Sequence, residues 1–122
     1  MLDDDRLMRR LIGRELGARF DVVEASGYTE AIEALANAEV LDAVVSDRFL
    51  GPGRSGLDFL IHARESRPSL PRVMASGTVY DHLTEQALSS GLIDRYVAKP
   101  WQIGSLLAAV LDVLDEKSKT KA

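Results

Sequence analysis

Three kinds of residue in this chain have the chemistry and the spacing to act together. Three aspartates, Asp3, Asp4 and Asp5, stand near the start, and Asp47 directly follows the apolar run LDAVVS. Ser76 follows a second apolar run, RVMA, and Lys99, itself followed by Pro100, comes after a third, RYVA. Carboxylates gathered at one spot repel one another, and a hard divalent cation such as Mg²⁺ (or Mn²⁺) relieves that repulsion through oxygen ligands. A carboxylate can also attack phosphorus and form an acyl phosphate. A phosphoryl group in transfer needs positive charge and hydrogen-bond donors around its equatorial oxygens. An ammonium from Lys99 and a hydroxyl from Ser76 are suited to supply them.

These residues are far apart in sequence, so the fold has to bring them together. Residues 5–16 carry Leu7, Leu11, Met8 and Ile12 at helical spacing, and residues 20–25 form a short β-rich run. A helix is expected over residues 29–38 with Ala31, Ile32, Leu35 and Ala36 inward. Residues 41–46 read as a strand buried on both faces. A Gly- and Pro-rich loop over residues 51–56 follows. Ser55 and Asp58 have capping-box spacing ahead of a helix over residues 57–66, and Thr78 and Asp81 repeat it ahead of a helix ending near Ser90. Strands are expected at residues 72–75 and 95–98. Trp101 then packs at the opening of a last helix whose apolar face holds Ile103, Leu106, Leu107, Val110, Leu111 and Leu114. Strands alternating with helices through short links predict a doubly wound α/β domain, with parallel strands and helices on both faces. Ligands of such sheets bind beyond the carboxyl ends of the strands, where Asp47, Ser76 and Lys99 fall.

Length and composition bound the reading. With 122 residues the chain is one domain's worth, and its 46% hydrophobic and 28% charged residues are ordinary for a globular protein. It has no cysteine, so disulfides and thiolate metal sites are excluded. No apolar run approaches the roughly 18 residues of a membrane span, and no signal peptide is visible. A cytoplasmic protein without membrane or direct nucleic-acid contacts is expected, the net charge being −4. Residues 1–116 are expected to form the domain and residues 117–122, with Lys117, Lys119 and Lys121, a polar basic tail or linker.

Each residue also has a plain structural reading. Asp3, Asp4 and Asp5 suit a helix N-terminus, Asp47 a loop start, and Ser76 a turn or cap. Lys99 suits a solvated surface and Tyr96 a half-buried core position. His62 and His82 read as helix surface residues, and Arg48 as a solvated loop residue. It is the joint placement of five positions at strand ends, the acidic run with Asp47, Ser76, Lys99 and Tyr96, that favours chemistry.

In these residues and their order the chain resembles the receiver family of response regulators, bacterial two-component phosphorelay proteins of the chemotaxis-regulator kind. The resemblance covers essentially the whole chain: LDDDRLMRRLIGREL, LDAVVSDRFLGPGRSGLDFL, VMASG and YVAKPW. It implies a flavodoxin-like five-stranded parallel sheet in the order 2-1-3-4-5, here with a truncated first strand, since only Met1 and Leu2 precede the acidic residues. It implies Asp47 as phosphoacceptor, Asp4 as direct Mg²⁺ ligand with Asp3 beside it, and the Phe49 backbone carbonyl as a further ligand. Ser76 and Lys99 would bind the phosphoryl group, Ser76 and Tyr96 would act as the switch, and Pro100 would follow a cis peptide. The donor would be a phosphohistidine on a histidine kinase or phosphotransfer domain. The output would be a protein-interaction surface on the fourth helix, fifth strand and fifth helix, which is also the expected surface of a homodimer. Against the common pattern the loop after Asp47 is about one residue longer, at Gly51. The bulky Phe49 predicts slow loss of the phosphoryl group.

Other functions fit less well. A degenerate receiver, a module that binds partners without being phosphorylated, is opposed by the intact Asp4, Asp47, Ser76 and Lys99. An aspartyl phosphatase of the haloacid dehalogenase type carries a second aspartate two residues after the first, where this chain has Phe49. A flavodoxin-like cofactor binder needs a phosphate loop where this chain has three aspartates. A domain that catalyses only its own phosphorylation and dephosphorylation, rather than an enzyme, is expected.

Overall fold

The computed structural model describes residues 1–48, 55–77 and 81–120. Helices α1 (Arg6–Leu16) and α2 (Tyr28–Asn37) lead into β1 (Val44–Ser46). After these come α3 (Gly56–Ser66), β2 (Arg72–Ser76), α4 (His82–Ser89), β3 (Arg95–Ala98) and α5 (Ser105–Thr120). The strands are parallel in the order β1-β2-β3, with Val45 opposite Val73 and Met74 opposite Tyr96.

The pleat divides the core in two, because neighbouring strand residues point to opposite faces. Val44 and Met74 face one cluster with Ala31, Leu35, Phe59, Leu60, Ala87 and Ile93. Val45, Val73 and Ala75 face the other with Ile12, Leu16, Leu106 and Val110. Helices α2, α3 and α4 therefore cover one side of the sheet, and α1 and α5 the other. All five residues of β2 are buried, as a central strand covered on both faces requires. Each fully buried Leu, Ile or Val contributes about 1.5–3 kcal/mol.

Three strands, not five, form a continuous ladder among the described residues. The first two expected strands are reduced to bridges, in which Leu2 pairs in parallel with Ala25 on one side and Ser46 on the other. Leu2 N–H donates to the Val45 carbonyl (2.8 Å), and Asp47 N–H donates to the Leu2 carbonyl (2.9 Å). Asp3 N–H and Ala25 N–H complete the pairing with the Ala25 and Met1 carbonyls. With a single residue pairing in the slot, residues 21–24 stay outside the ladder despite their β-rich composition. A cavity of about 350 Å³, lined by Leu2, Leu16, Phe20, Val22, Leu35 and Val44 among others, lies beside them.

Local signals account for most helix ends. Asp5 caps α1, its carboxylate accepting from Met8 N–H (3.2 Å). Ser55 and Asp58 form a reciprocal capping box on α3. On α4 the cap is Asp81, which accepts from Thr84 N–H (3.1 Å). The expected partner at Thr78 lies outside the described residues, and Asp81, an equally good capping residue, takes the position. Two residues expected inward point outward: Ala36 is exposed, and Ile103 is fully exposed. Ile103 precedes α5, so the face reckoned from it is shorter by one member. Trp101 likewise stands four residues ahead of α5 and packs, half-buried, against the second cluster.

Candidate functional site

Because the strands are parallel, their carboxyl ends share one edge of the sheet. Asp47 follows β1, Ser76 ends β2 and Lys99 follows β3. The bridge from Leu2 to Ser46 brings Asp3 and Asp4 to the same edge. One carboxylate oxygen from each of Asp3, Asp4 and Asp47 lies within 4.8 Å of the others. Asp3 is buried, Asp47 half-buried and Asp4 exposed, so the group opens to solvent on one side. An all-oxygen, carboxylate-rich set of this kind fits a hard cation such as Mg²⁺, which keeps part of its water shell.

The Lys99 ammonium bridges two of these carboxylates, donating to Asp3 Oδ2 (2.5 Å) and Asp47 Oδ2 (3.2 Å). Its backbone N–H donates to the Ser76 carbonyl (2.9 Å), which ties the end of β3 to that of β2. Burial opposes the charge on Lys99, but the hydrogen bond to Asp3 and the field of both carboxylates outweigh it and raise its pKa. Burial pushes the Asp3 carboxyl above its ordinary value, further than the hydrogen bonds from Lys99 and from Asp5 N–H bring it down. The remaining oxygen of Asp47, Oδ1, accepts from Arg48 N–H (2.7 Å). The third aspartate, Asp5, does what its plain reading says and caps α1.

The other expected residues fall as follows. Ser76 is fully buried at the end of β2. Tyr96 is half-buried in β3 and packs against the cluster containing Met74. The peptide between Lys99 and Pro100 is cis. Phe49, Gly51 and the lengthened loop lie outside the described residues. His82 is exposed and pairs with Gln86 across 3.0 Å, and His62 is half-buried on α3; neither joins the carboxylate group.

Arg48 overturns its reading as a solvated residue. It is only 5% exposed, and its guanidinium reaches Asp81 Oδ2 (2.5 Å) and Thr84 Oγ1 (3.5 Å). A buried guanidinium needs such partners, and they lie on another element, beyond the reach of sequence spacing. Gly56 was also missed as a site residue. A Cβ there would stand 1.5 Å from the Asp47 carbonyl oxygen, and Gly56 N–H donates to the Arg48 carbonyl (2.7 Å). Only glycine lets α3 start this close to the backbone of Asp47; the local signal was the small residue just after the Ser55 cap.

A parallel α/β domain with carboxylates and a lysine at its strand ends is the architecture of a signal receiver, and comparison with known proteins agrees. The response regulator receiver domain family matches residues 1–111, and the chain belongs to that family. It is 29% identical over 114 residues to the hydrogenase transcriptional regulatory protein HoxA of Bradyrhizobium diazoefficiens. That match covers 93% of this chain but 23% of HoxA, so the chain spans about a quarter of that relative's length. It is 28% identical over 115 residues to the chemotaxis protein CheY of Halobacterium salinarum, covering 93% of each. Among solved structures, the receiver domain of an HD domain-containing protein from Pseudomonas fluorescens superposes with a TM-score of 0.85 at 28% identity, covering 97% of this chain and 94% of that one. Receiver domains work with histidine kinases in two-component signalling, bind Mg²⁺ in an acidic pocket, and are not typically enzymes in their own right. No helix among the described residues is long and apolar enough to cross a membrane.

Proposed function

We propose that this domain takes a phosphoryl group from a phosphohistidine onto Asp47 and thereby switches a protein-interaction surface. The observation that carries the reading is the grouping of Asp3, Asp4 and Asp47 carboxylates within 4.8 Å, with the Lys99 ammonium bonded to two of them. In the transfer, an oxygen of Asp47 forms a bond to phosphorus as the bond from phosphorus to the donor imidazole nitrogen breaks, and the imidazole leaves with the bonding pair. Asp3, Asp4 and Asp47, with the Phe49 carbonyl, would hold Mg²⁺, which neutralises charge on the phosphoryl oxygens when bound. Lys99 sits 3.2 Å from Asp47 Oδ2 and can follow the new negative charge without crossing the site. Ser76 supplies a hydroxyl from the neighbouring strand end, and Tyr96 on the next strand packs against the cluster that holds Met74. Together they would pass the change to the surface made by α4, β3 and α5.

The test is an intact mass of wild type and Asp47→Asn, with and without Mg²⁺ and a small-molecule phosphodonor. One phosphoryl adduct is expected in the wild type, dependent on Mg²⁺ and absent from the variant. A folded wild type that takes no adduct even from a kinase donor would identify the domain as an interaction module that works without phosphorylation.

A further inference from the structure

We propose that Arg48 is a positioning residue that fastens the first turn of α4 to the phosphoacceptor, so that chemistry at Asp47 reaches α4 through the next residue of the chain. The link to phosphorylation rests on the reading of Asp47 above; the fastening itself does not. Arg48 is held at three points. Its N–H donates to Asp47 Oδ1 (2.7 Å), its carbonyl accepts from Gly56 N–H at the start of α3 (2.7 Å), and its guanidinium bonds Asp81 (2.5 Å) and Thr84 (3.5 Å) on α4.

Asp81 serves two elements at once. Its Oδ1 caps α4 by accepting from Thr84 N–H, and its Oδ2 receives Arg48. The two ends of the latch differ in exposure, Arg48 being buried and Asp81 exposed. The guanidinium cannot exchange Asp81 for water without moving, whereas the carboxylate can, so the contact opens from the α4 side. Thr84, 1% exposed, closes the inner edge of the pair. When one oxygen of Asp47 is esterified, the carboxylate loses its full charge and the Arg48 N–H loses a charged acceptor. The Asp47 carbonyl stays held by Ser46 Oγ (2.8 Å), but the bond that fixes the Arg48 N–H weakens, and the side chain of that residue is the one holding the α4 cap. This route is separate from Ser76 and Tyr96, which lie on β2 and β3.

The experiment is amide hydrogen exchange on wild type, Arg48→Met, Arg48→Lys, Asp81→Ser and the Arg48→Met/Asp81→Ser double variant. Each is measured alone and with Mg²⁺ and beryllofluoride, a phosphoryl mimic. In the resting protein, residues 82–86 are expected to exchange about tenfold faster in Arg48→Met and in Asp81→Ser, and no faster in the double variant, since one bond to a charged group is lost in all three. Arg48→Lys should restore part of the protection. With beryllofluoride, the wild type should change at residues 82–86 and next to Asp47, whereas Arg48→Met should change only next to Asp47. Unchanged resting exchange in both single variants, or effects that simply add in the double, overturns the fastening. A full α4 response in Arg48→Met overturns its role in the switch. Were Arg48→Met not to fold, Asp81→Ser, which keeps a capping hydroxyl, decides both points. A wild type that ignores beryllofluoride everywhere counts against phosphorylation at Asp47 and against coupling through Arg48, while the resting exchange still judges the fastening.

Discussion

Two shielded cations sit at opposite ends of β2, and they are satisfied in different ways. Arg72, at the start of the strand, is 3% exposed, and its guanidinium donates to the carbonyls of Pro68, Leu70, Gly91 and Leu92 at 2.7–3.2 Å. Lys99, beside the far end, has a side chain 11% exposed and donates to two carboxylates. Burial lowers the pKa of Arg72, partly offset by the field of Asp94, whereas at Lys99 the carboxylates win and the pKa rises. The fixed backbone dipoles around Arg72 cannot change charge, so that cation is a permanent staple between residues 68–70 and 91–92. The partners of Lys99 are charges that a metal ion or a phosphoryl group can redistribute. Shielding therefore serves architecture at one end of the strand and, under the proposed function, chemistry at the other.

Arg72→Met breaks the comparison hardest. It leaves four carbonyls without their donor, and each one left unsatisfied costs about 1–3 kcal/mol. We predict a loss on the order of 3–5 kcal/mol, a large part of the roughly 5–15 kcal/mol that holds a domain together. The urea midpoint measures it, and the gap from wild type should be the same in EDTA and in Mg²⁺. A midpoint close to that of wild type would show that water or a shifted loop replaces the guanidinium.

Lys99→Ala should cost less, about 1–3 kcal/mol in EDTA, because it leaves like charges facing one another on a partly open edge. Here the gap from wild type should narrow as Mg²⁺ is added, since a cation bound by the folded state alone stabilises it and can take over the neutralisation. A gap indifferent to Mg²⁺ would place Lys99 with Arg72, as a structural cation.

How far the sequence disclosed these roles follows from the range of each interaction. The strands β2 and β3 and the capping box at Ser55 and Asp58 are written in neighbouring residues, and they were legible. So was the gathering of Asp3, Asp4, Asp47 and Lys99, because the alternation of strands and helices brings strand ends to one edge whatever lies between. The shortness of the first strand was legible in the two residues before the aspartates, but the loss of the second was hidden in residues 20–25. Their β-rich composition is real, but a ladder needs a partner, and among the described residues only Leu2 bridges to them. Arg48 was misread because its partners stand 33 and 36 residues away, and an arginine in a Gly- and Pro-rich stretch looks solvated. Thr78 and Asp81 are both good caps, and local rules do not rank them.

Glu15 sharpens the comparison with the opposite sign of charge, and with the smallest expected effect. On α1 it accepts from Trp101 Nε1 (3.1 Å), Gly104 N–H (3.0 Å) and Leu107 N–H (2.8 Å), capping α5 from a different helix. As the guanidinium of Arg72 bonds only neutral carbonyls, so the Glu15 carboxylate bonds only neutral donors, two backbone N–H groups and the Trp101 indole, and it belongs with the architectural ions. Burial opposes its ionisation, but the three donors outweigh burial and hold its pKa below the ordinary 4.5. A carboxyl lowered on folding contributes stability that is full above its unfolded pKa and is lost as pH falls through the folded one. We therefore predict that Glu15→Gln costs about 1 kcal/mol at neutral pH, the usual scale of a helix cap. The gap from wild type should shrink as pH drops below 4.5, and paired thermal melts across that range measure it. A gap that stays constant down the acid range would mean that the amide fails through shape and not through charge, and would remove Glu15 from the set of ions held by backbone dipoles.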